Sequence, residues 1–263
     1  MDAAGYVVTT GRRPGPQELS LAAWFARRLC APLVPRENLS LKALEEKYGA
    51  RGVLVVAQRR ASFYTGGVEV FFHPSMAKLR IAEIKTGKTD QMVKAMDLRP
   101  GEEVLDCTLG LGVDAIVASF VVGPAGRVVG VESSPVLAAL VEHGLGYYCD
   151  RLPREVLEAM RRIEVICGDH LSYLKGLPAE SFDVVYFDPM FREPLHRSPA
   201  IGPLRALAND APLARQAVEE AVRVARRRVV MKERRGSREF ARLGFTCVQG
   251  GKSSPVAYGV IEK

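Results

Sequence analysis

The chain has 263 residues, of which 48% are hydrophobic and 25% charged, with a net charge of +7. This is ordinary globular composition, long enough to bury a core without a disulfide or metal staple. It excludes a disordered or miniature scaffold, and the positive balance suits a polyanionic partner or a merely basic soluble protein.

Five cysteines stand at 30, 107, 149, 167 and 247, an odd number with no C-x-x-C pair. That pattern argues against a disulfide framework and against a zinc site, and no metal is expected. MDAAGYVVTTGRRPG at the start lacks the apolar core of a signal peptide. No apolar run approaches the roughly 20 residues that span a bilayer. The expectation is a cytoplasmic protein with no membrane partner.

In chain order, residues 6–10 read as a strand and 17–30 as a helix with apolar residues at helical spacing. Ser40 caps a second helix that Gly49 closes. Val53–Val56 is a strand, and Phe63–Tyr64 and Val68–Phe72 are strands around the Gly66-Gly67 turn. Residues 90–97 read as a helix, broken by Arg99-Pro100-Gly101. The pattern then alternates. Strands at 104–105, 127–131, 163–166, 184–187 and 229–231 are interleaved with helices at 114–120, 135–145 and 212–227. Two terminal strands flank Gly250-Gly251. Such alternation predicts an α/β fold, a doubly wound, mostly parallel, seven-stranded sheet with an antiparallel edge. A smaller α/β unit over residues 1–85 precedes the main domain over 86–263.

The loop DCTLGLGVDA, 106–115, places Asp106 at a strand end, followed by Thr108, Gly110, Gly112, Val113 and Asp114. Glu132 ends the next strand, 20 residues beyond Gly112, the spacing at which a carboxylate reaches ribose hydroxyls. Gly110 to Ala115 matches the dinucleotide fingerprint G-x-G-x-x-A. The same loop is similar to the S-adenosylmethionine loop of class I methyltransferases. Asp106 and Asp114 favour the cationic donor, because they repel a pyrophosphate. Asp169-His170 follows the third strand, where an acid can accept from an adenine amine. A plain strand-to-helix turn is the remaining alternative for the loop.

Asp188-Pro189-Met190-Phe191 closes the fourth strand and resembles the (Asn/Asp)-Pro-Pro-(Tyr/Phe) motif of methyltransferases acting on exocyclic amines of bases, with Met190 in place of the second proline. In that chemistry the Asp188 side chain and the Pro189 carbonyl accept the amine hydrogens, and Phe191 offers a stacking face. Taken together, DCTLGLGVDA, VESSPVLAALVEHGL at 131–145 and VVYFDPMF at 184–191 resemble the bacterial 16S ribosomal RNA guanine-N2 methyltransferase family, over roughly residues 70–235. The resemblance implies a Rossmann-like fold and S-adenosylmethionine as cofactor. It puts cofactor contacts at Val113-Asp114, Glu132-Ser133, Asp169-His170 and Asp188. Val113 and Ser133 stand where the family often has arginine. The implied partner is small-subunit ribosomal RNA, free or assembled.

Residues 226–238 hold seven lysines and arginines against the single acid Glu233. Arg226, Arg227, Arg228, Lys232, Arg234 and Arg235 from this run, with Arg192 and Arg197 beside the motif, are expected to form a cationic rim that meets RNA phosphate. A solvated helix end is the alternative for the run. His73, Lys78, Arg80 and Lys88 are candidates for the donor carboxylate or RNA phosphate. Rival activities are amine methylation of adenine in DNA or of a protein amide, a non-catalytic RNA binder with this fold, and a dehydrogenase.

Overall fold

Short β-branched runs near the N-terminus pair into the first of two sheets. The computed structural model describes residues 5–58, 60–148, 151–190, 207, 211–251 and 254–263. Strand β1 (Tyr6–Thr10) runs parallel to β2 (Gly52–Ala57), and β3 (Arg60–Thr65) and β4 (Val68–Phe71) continue antiparallel in the order β1-β2-β3-β4. The register aligns Val8, Leu54, Phe63 and Val70 in one row on a buried face. Val7 and Val53 point to the opposite face, where Val34 and Leu44 cover them, as the two-residue period of a strand requires. Helix α1 (Pro16–Leu29) lays Ala22, Phe25 and Leu29 on the first face. Pro16 suits its first turn, where a missing N–H costs nothing. Helix α2 (Leu41–Tyr48) starts where Ser40 Oγ accepts the Ala43 N–H at 3.0 Å. It stops at Gly49, whose φ of +61° is left-handed.

The second sheet has seven strands: β5 (Glu103–Asp106), β6 (Arg127–Glu132), β7 (Ile163–Cys167), β8 (Phe182–Phe187), β9 (Ala225–Arg234), β10 (Cys247–Gln249) and β11 (Val256–Glu262). Their order is β10-β11-β9-β8-β5-β6-β7, with five parallel strands and antiparallel β11 and β10 at one edge. The chain winds outward through β6 and β7, then returns beside β5 as β8. The switch point therefore falls between β5 and β8, and the carboxyl ends of these strands open the crevice. Helices α3 (Ser75–Lys85), α4 (Gln91–Met96), α5 (Val113–Val122), α6 (Pro135–Tyr147) and α7 (Arg154–Arg161) cover one face. Helices α8 (His170–Gly176), α9 (Arg215–Val224) and α10 (Glu239–Leu243) cover the other. Among the described residues no helix is long and apolar enough to cross a membrane.

Helix α6 is apolar through Val136–Val141 and joins the two sheets there, as so apolar a stretch must be buried on both sides. Val136, Leu137, Ala139 and Leu140 pack against the row of the first sheet, while Val141 and Leu145 pack under the second. At Gly144 a Cβ would come within 2.2 Å of Phe72 Cγ, so only glycine lets that ring seat flush.

Several elements depart from the expectation. The helix expected over 212–227 is α9, which ends at Val224, and Arg226–Arg228 belong to β9. There Arg228 pairs with Val184 and Val229 with Val185, so extension of the sheet overrides the charge run. Helices α3, α7, α8 and α10 are additional to it. Although α3 precedes the boundary expected at residue 85, its Ala77 and Ile81 lie in the core of the second sheet.

Candidate active site

The site assembles at the carboxyl edge of β5, β6, β8 and β9. After β5 the Thr108 N–H donates to Asp106 Oδ1 at 3.0 Å, and the Asp188 N–H donates to Thr108 Oγ1 at 2.6 Å. One threonine thus ties the glycine loop to the loop after β8. Gly110 (φ +53°) and Gly112 (φ +74°) are left-handed, and the Gly112 N–H donates to the Leu109 carbonyl at 2.8 Å. A Cβ at Gly112 would touch Val141 at 3.4 Å, whereas above Gly110 only the Thr108 carbonyl lies within 4 Å, at 3.9 Å. The backbone at Gly110 therefore borders open space. Val113 begins α5 and packs, half-buried, on the core.

Glu132 at the end of β6 accepts the Gly110 N–H at 3.0 Å and the Ser134 N–H at 2.7 Å. Burial raises its pKa, and these amides oppose the rise. Ser133, next to it, is exposed. Asp169 caps α8 by accepting the Ser172 N–H at 2.8 Å, a bond that lowers its pKa. The His170 ring meets Phe187 edge-on at 5.8 Å, and burial lowers its pKa, which favours the neutral imidazole at neutral pH.

Asp106 and Asp188 end β5 and β8, on either side of the switch point. Burial pushes Asp106 up to about 8, and the carboxylates of Asp114 and Asp188 add to the rise. Burial also lifts Asp188, to about 6; Lys232 opposes the rise and Asp114 adds to it. Asp114 behaves oppositely. Burial opposes its charge, yet Lys232 and Arg80 hold its carboxyl well below the usual range.

Asp114 is held from three sides. Arg80 Nη1 bonds Oδ1, while the Tyr186 hydroxyl donates to Oδ2 at 2.8 Å and Lys232 Nζ approaches it at 3.2 Å. Lys232 also donates to Asp188 Oδ2 at 2.6 Å. Arg80 grips Asp90 through two bonds of 2.8 and 3.0 Å. Expected as a cofactor contact, Asp114 thus also links α3 to β9. Arg80 and Lys232 were expected to meet donor or phosphate and are committed to carboxylates instead. The period of β9 carries a signal for Lys232, since position 232 shares a sheet face with buried Val230.

The remaining expectations divide. Pro189 follows Asp188, half-buried. Phe191, Arg192 and Arg197 lie outside the described residues. Arg226, Arg227 and Arg228 stand at the amino end of β9, beside the start of β8, about 13–20 Å along the strand from Lys232. There they clamp Glu103, Asp183, Asp97, Glu102 and Glu262, so they form no rim around the site. Arg234 and Arg235 are at the carboxyl end, where Arg235 bonds the carbonyls of Ser254 and Gly251. His73, Lys78 and Lys88 are exposed, and Lys88 pairs with Glu83 at 3.1 Å.

Carboxylates at the ends of β5, β6 and β8, with an acid-capped helix after β7, suit a ligand that carries positive charge and hydroxyls. They repel a pyrophosphate. The residues present therefore fit S-adenosylmethionine, with its ammonium, sulfonium and ribose, and the open backbone at Gly110 leaves room for it. A family model described as "Putative SAM-dependent methyltransferase" matches residues 40–253. The chain is 41% identical over 257 residues to "Uncharacterized protein YpiP" of Bacillus subtilis, covering 97% of this chain and 99% of that one. It is 33% identical over 236 residues to "Ribosomal RNA small subunit methyltransferase J" of Halorhodospira halophila, covering 86% and 82%. A solved SAM-dependent methyltransferase from Neisseria gonorrhoeae shares the fold, with a TM-score of 0.64 over 97% and 95% of the two chains at 18% identity. The chain belongs to the S-adenosylmethionine-dependent methyltransferase family, and S-adenosylmethionine is its cofactor.

Proposed function

We propose that this enzyme methylates an exocyclic amine of an RNA base, guanine N2 in small-subunit ribosomal RNA. The observation that carries the reading is a carboxylate, Asp188, at the switch point, fixed through its own N–H to Thr108 and followed by Pro189. A base amine is a poor nucleophile, because its lone pair is delocalised into the ring. Asp188 and the Pro189 carbonyl accept its hydrogens and turn that lone pair outward. The bound cofactor would supply an electrophilic methyl group, its sulfur keeping the S–C bonding pair and leaving as a neutral thioether. As the new N–C bond forms, the nitrogen sheds a proton to Asp188. The rest is positioning in a crevice.

Guanine rather than adenine follows from the resemblance of DCTLGLGVDA and VVYFDPMF to guanine-N2 methyltransferases, because Asp188 and the Pro189 carbonyl can accept the two hydrogens of either amine. The relative named as a small-subunit ribosomal RNA methyltransferase supports the same substrate.

The RNA contact is assigned to the N-terminal unit. Residues 1–73 hold ten lysines and arginines against six acids. A cavity of about 510 Å³ lies between the first sheet and α6, with Arg60, Tyr64, His73, His143, Tyr147 and Tyr148 among its lining. Tyr147 is 73% exposed, and its ring stacks on His143 at 5.3 Å with planes 23° apart. Such ring faces take up an unpaired base without reading its sequence.

The test is transfer of labelled methyl to small-subunit RNA and to whole subunits, followed by nucleoside digestion. The expected product is N2-methylguanosine. Asp188→Ala lowers its formation by about 10²–10⁴-fold. Methyl on adenine N6 or on a protein amide, or no transfer at all, overturns the proposal.

A further inference from the structure

Five side chains of alternating charge run through the site: Asp90, Arg80, Asp114, Lys232 and Asp188. They come from the N-cap of α4, from α3, α5 and β9, and from the end of β8. The Lys232 side chain is 22% exposed and that of Asp114 11%, so water screens this chain little. Lys232 carries no motif signature, and nothing in the proposed chemistry requires a lysine there.

We infer that Lys232 is the positioning residue of the acceptor carboxylate: it takes Asp188 Oδ2, turns Oδ1 to the base amine and keeps the group ionised. The inference rests on Asp188 as the acceptor proposed above. The groups that face Asp188 make the case. Asp106 comes from β5, Asp114 from α5, Glu233 from β9 and Tyr186 from β8. These three carboxylates and one phenol raise the cost of a charge at Asp188 when ionised, and the Tyr258 phenol of β11 is coupled to the same lysine. Arg80 is spent on Asp90 and Asp114. Among the described residues, Lys232 is thus the cation that touches Asp188, at 2.6 Å. Asp106 is already mostly protonated at neutral pH and Asp114 keeps Arg80, so the proton bound once the cation is removed falls to Asp188. A protonated Asp188 donates where it must accept and cannot take up the proton that the amine sheds.

Asp114 fixes the lysine in turn. Its Oδ2 receives the Tyr186 hydroxyl together with Lys232, and Arg80 holds Oδ1. The geometry at the reacting amine therefore depends on α3, which lies outside every motif of the crevice.

The experiment follows the Asp188 carboxyl carbon by NMR in the protein without RNA, assigned through Asp188→Asn. In Lys232→Met the Asp188 midpoint rises by more than about one pH unit. In Lys232→Arg it stays near the wild-type value, because the charge is kept. In Asp114→Asn it falls, because a neighbouring negative charge is gone and the lysine serves Asp188 alone. This opposite sign protects the test if Lys232→Met fails to fold. Turnover of Lys232→Met drops, and the acid limb of its kcat/KM moves up with the NMR midpoint, at unchanged KM for RNA. An unmoved midpoint in Lys232→Met, a midpoint that rises in Asp114→Asn, or a loss of turnover with an unshifted acid limb overturns the inference. If RNA accepts no methyl group, the titration still decides how Lys232 holds Asp188, and the substrate reading fails alone.

Discussion

Strand β9 carries cations at both ends, and the two ends do different work. At its amino end Arg226 bonds Glu103 through both terminal nitrogens at 2.9 Å, with the arginine side chain 39% exposed. At its carboxyl end Lys232 sits between Asp114 and Asp188 in the crevice. The first end holds the rim of a sheet together in partial contact with water, where an ion pair perturbs little. At the second, water is scarce and three acids compete, so protonation states separate: Asp106 is pushed up to about 8, Asp188 to about 6, and Asp114 is held down. Residue type does not distinguish the ends; burial and the number of like charges sharing one cation do.

The largest effect that sharpens this contrast is expected at Arg80. Its side chain is 19% exposed, and those of its partners Asp90 and Asp114 are 10% and 11% exposed. Arg80→Met leaves two largely buried carboxylates short of a cation, at a cost of about 3–5 kcal/mol. Asp90 also caps α4 through the N–H groups of Met92 and Val93, so the damage reaches that helix. The urea midpoint should fall at constant slope. A midpoint within error of the wild type would make the two ends energetically alike.

Much of the fold was legible because its signals are local. Apolar strand runs, the Ser40 and Gly49 helix ends, the glycine loop and the Asp188-Pro189 step each sit in a few adjacent residues. The charge chain was not legible, because topology assembles it. Arg80 and Lys232 belong to segments without a motif, and the run of arginines around Lys232 reads as surface charge. The same run hid the strand: its solvent-side arginines look like a helix end, while Val229, Val230 and Met231 are its buried part. Strand periodicity was the available cue, since Lys232 is in line with Val230 and Glu233, 3% exposed, with Met231.

A second, smaller effect concerns Asp106. Its folded pKa of about 8 lies above the ordinary carboxylate value, so at pH 7 it is mostly protonated without ligand. Stability from this group is complete below about pH 4 and is lost as pH rises through about 8. A cationic cofactor beside it favours the ionised form. Cofactor binding at pH 7 should therefore release close to one proton, read by calorimetry in two buffers of different ionisation enthalpy. Release should fade above about pH 9, where the group is already ionised, and vanish in Asp106→Asn. Equal heats in both buffers would return Asp106 to the ordinary behaviour of the other end of the sheet.

The smallest effect is expected at Arg226, and it bears on where RNA lies. Its guanidinium is committed to Glu103, to Asp183 at 3.3 Å and to the Ser181 carbonyl at 3.1 Å. Partly exposed pairs of this kind contribute about 0–1 kcal/mol, so Arg226→Ala should move the urea midpoint little. Each phosphate neutralised by a side chain adds close to one unit to the slope of log affinity against log salt. An arginine occupied by carboxylates about 20 Å from Asp188 adds none, so that slope should be unchanged in Arg226→Ala. Tyr147→Ala should instead weaken RNA by about 1–3 kcal/mol through lost stacking, again at unchanged slope. A shallower slope in Arg226→Ala would mean that RNA displaces Glu103 and runs along the amino edge of the sheet. The two ends of β9 would then share one ligand, and the division of labour between them would fail.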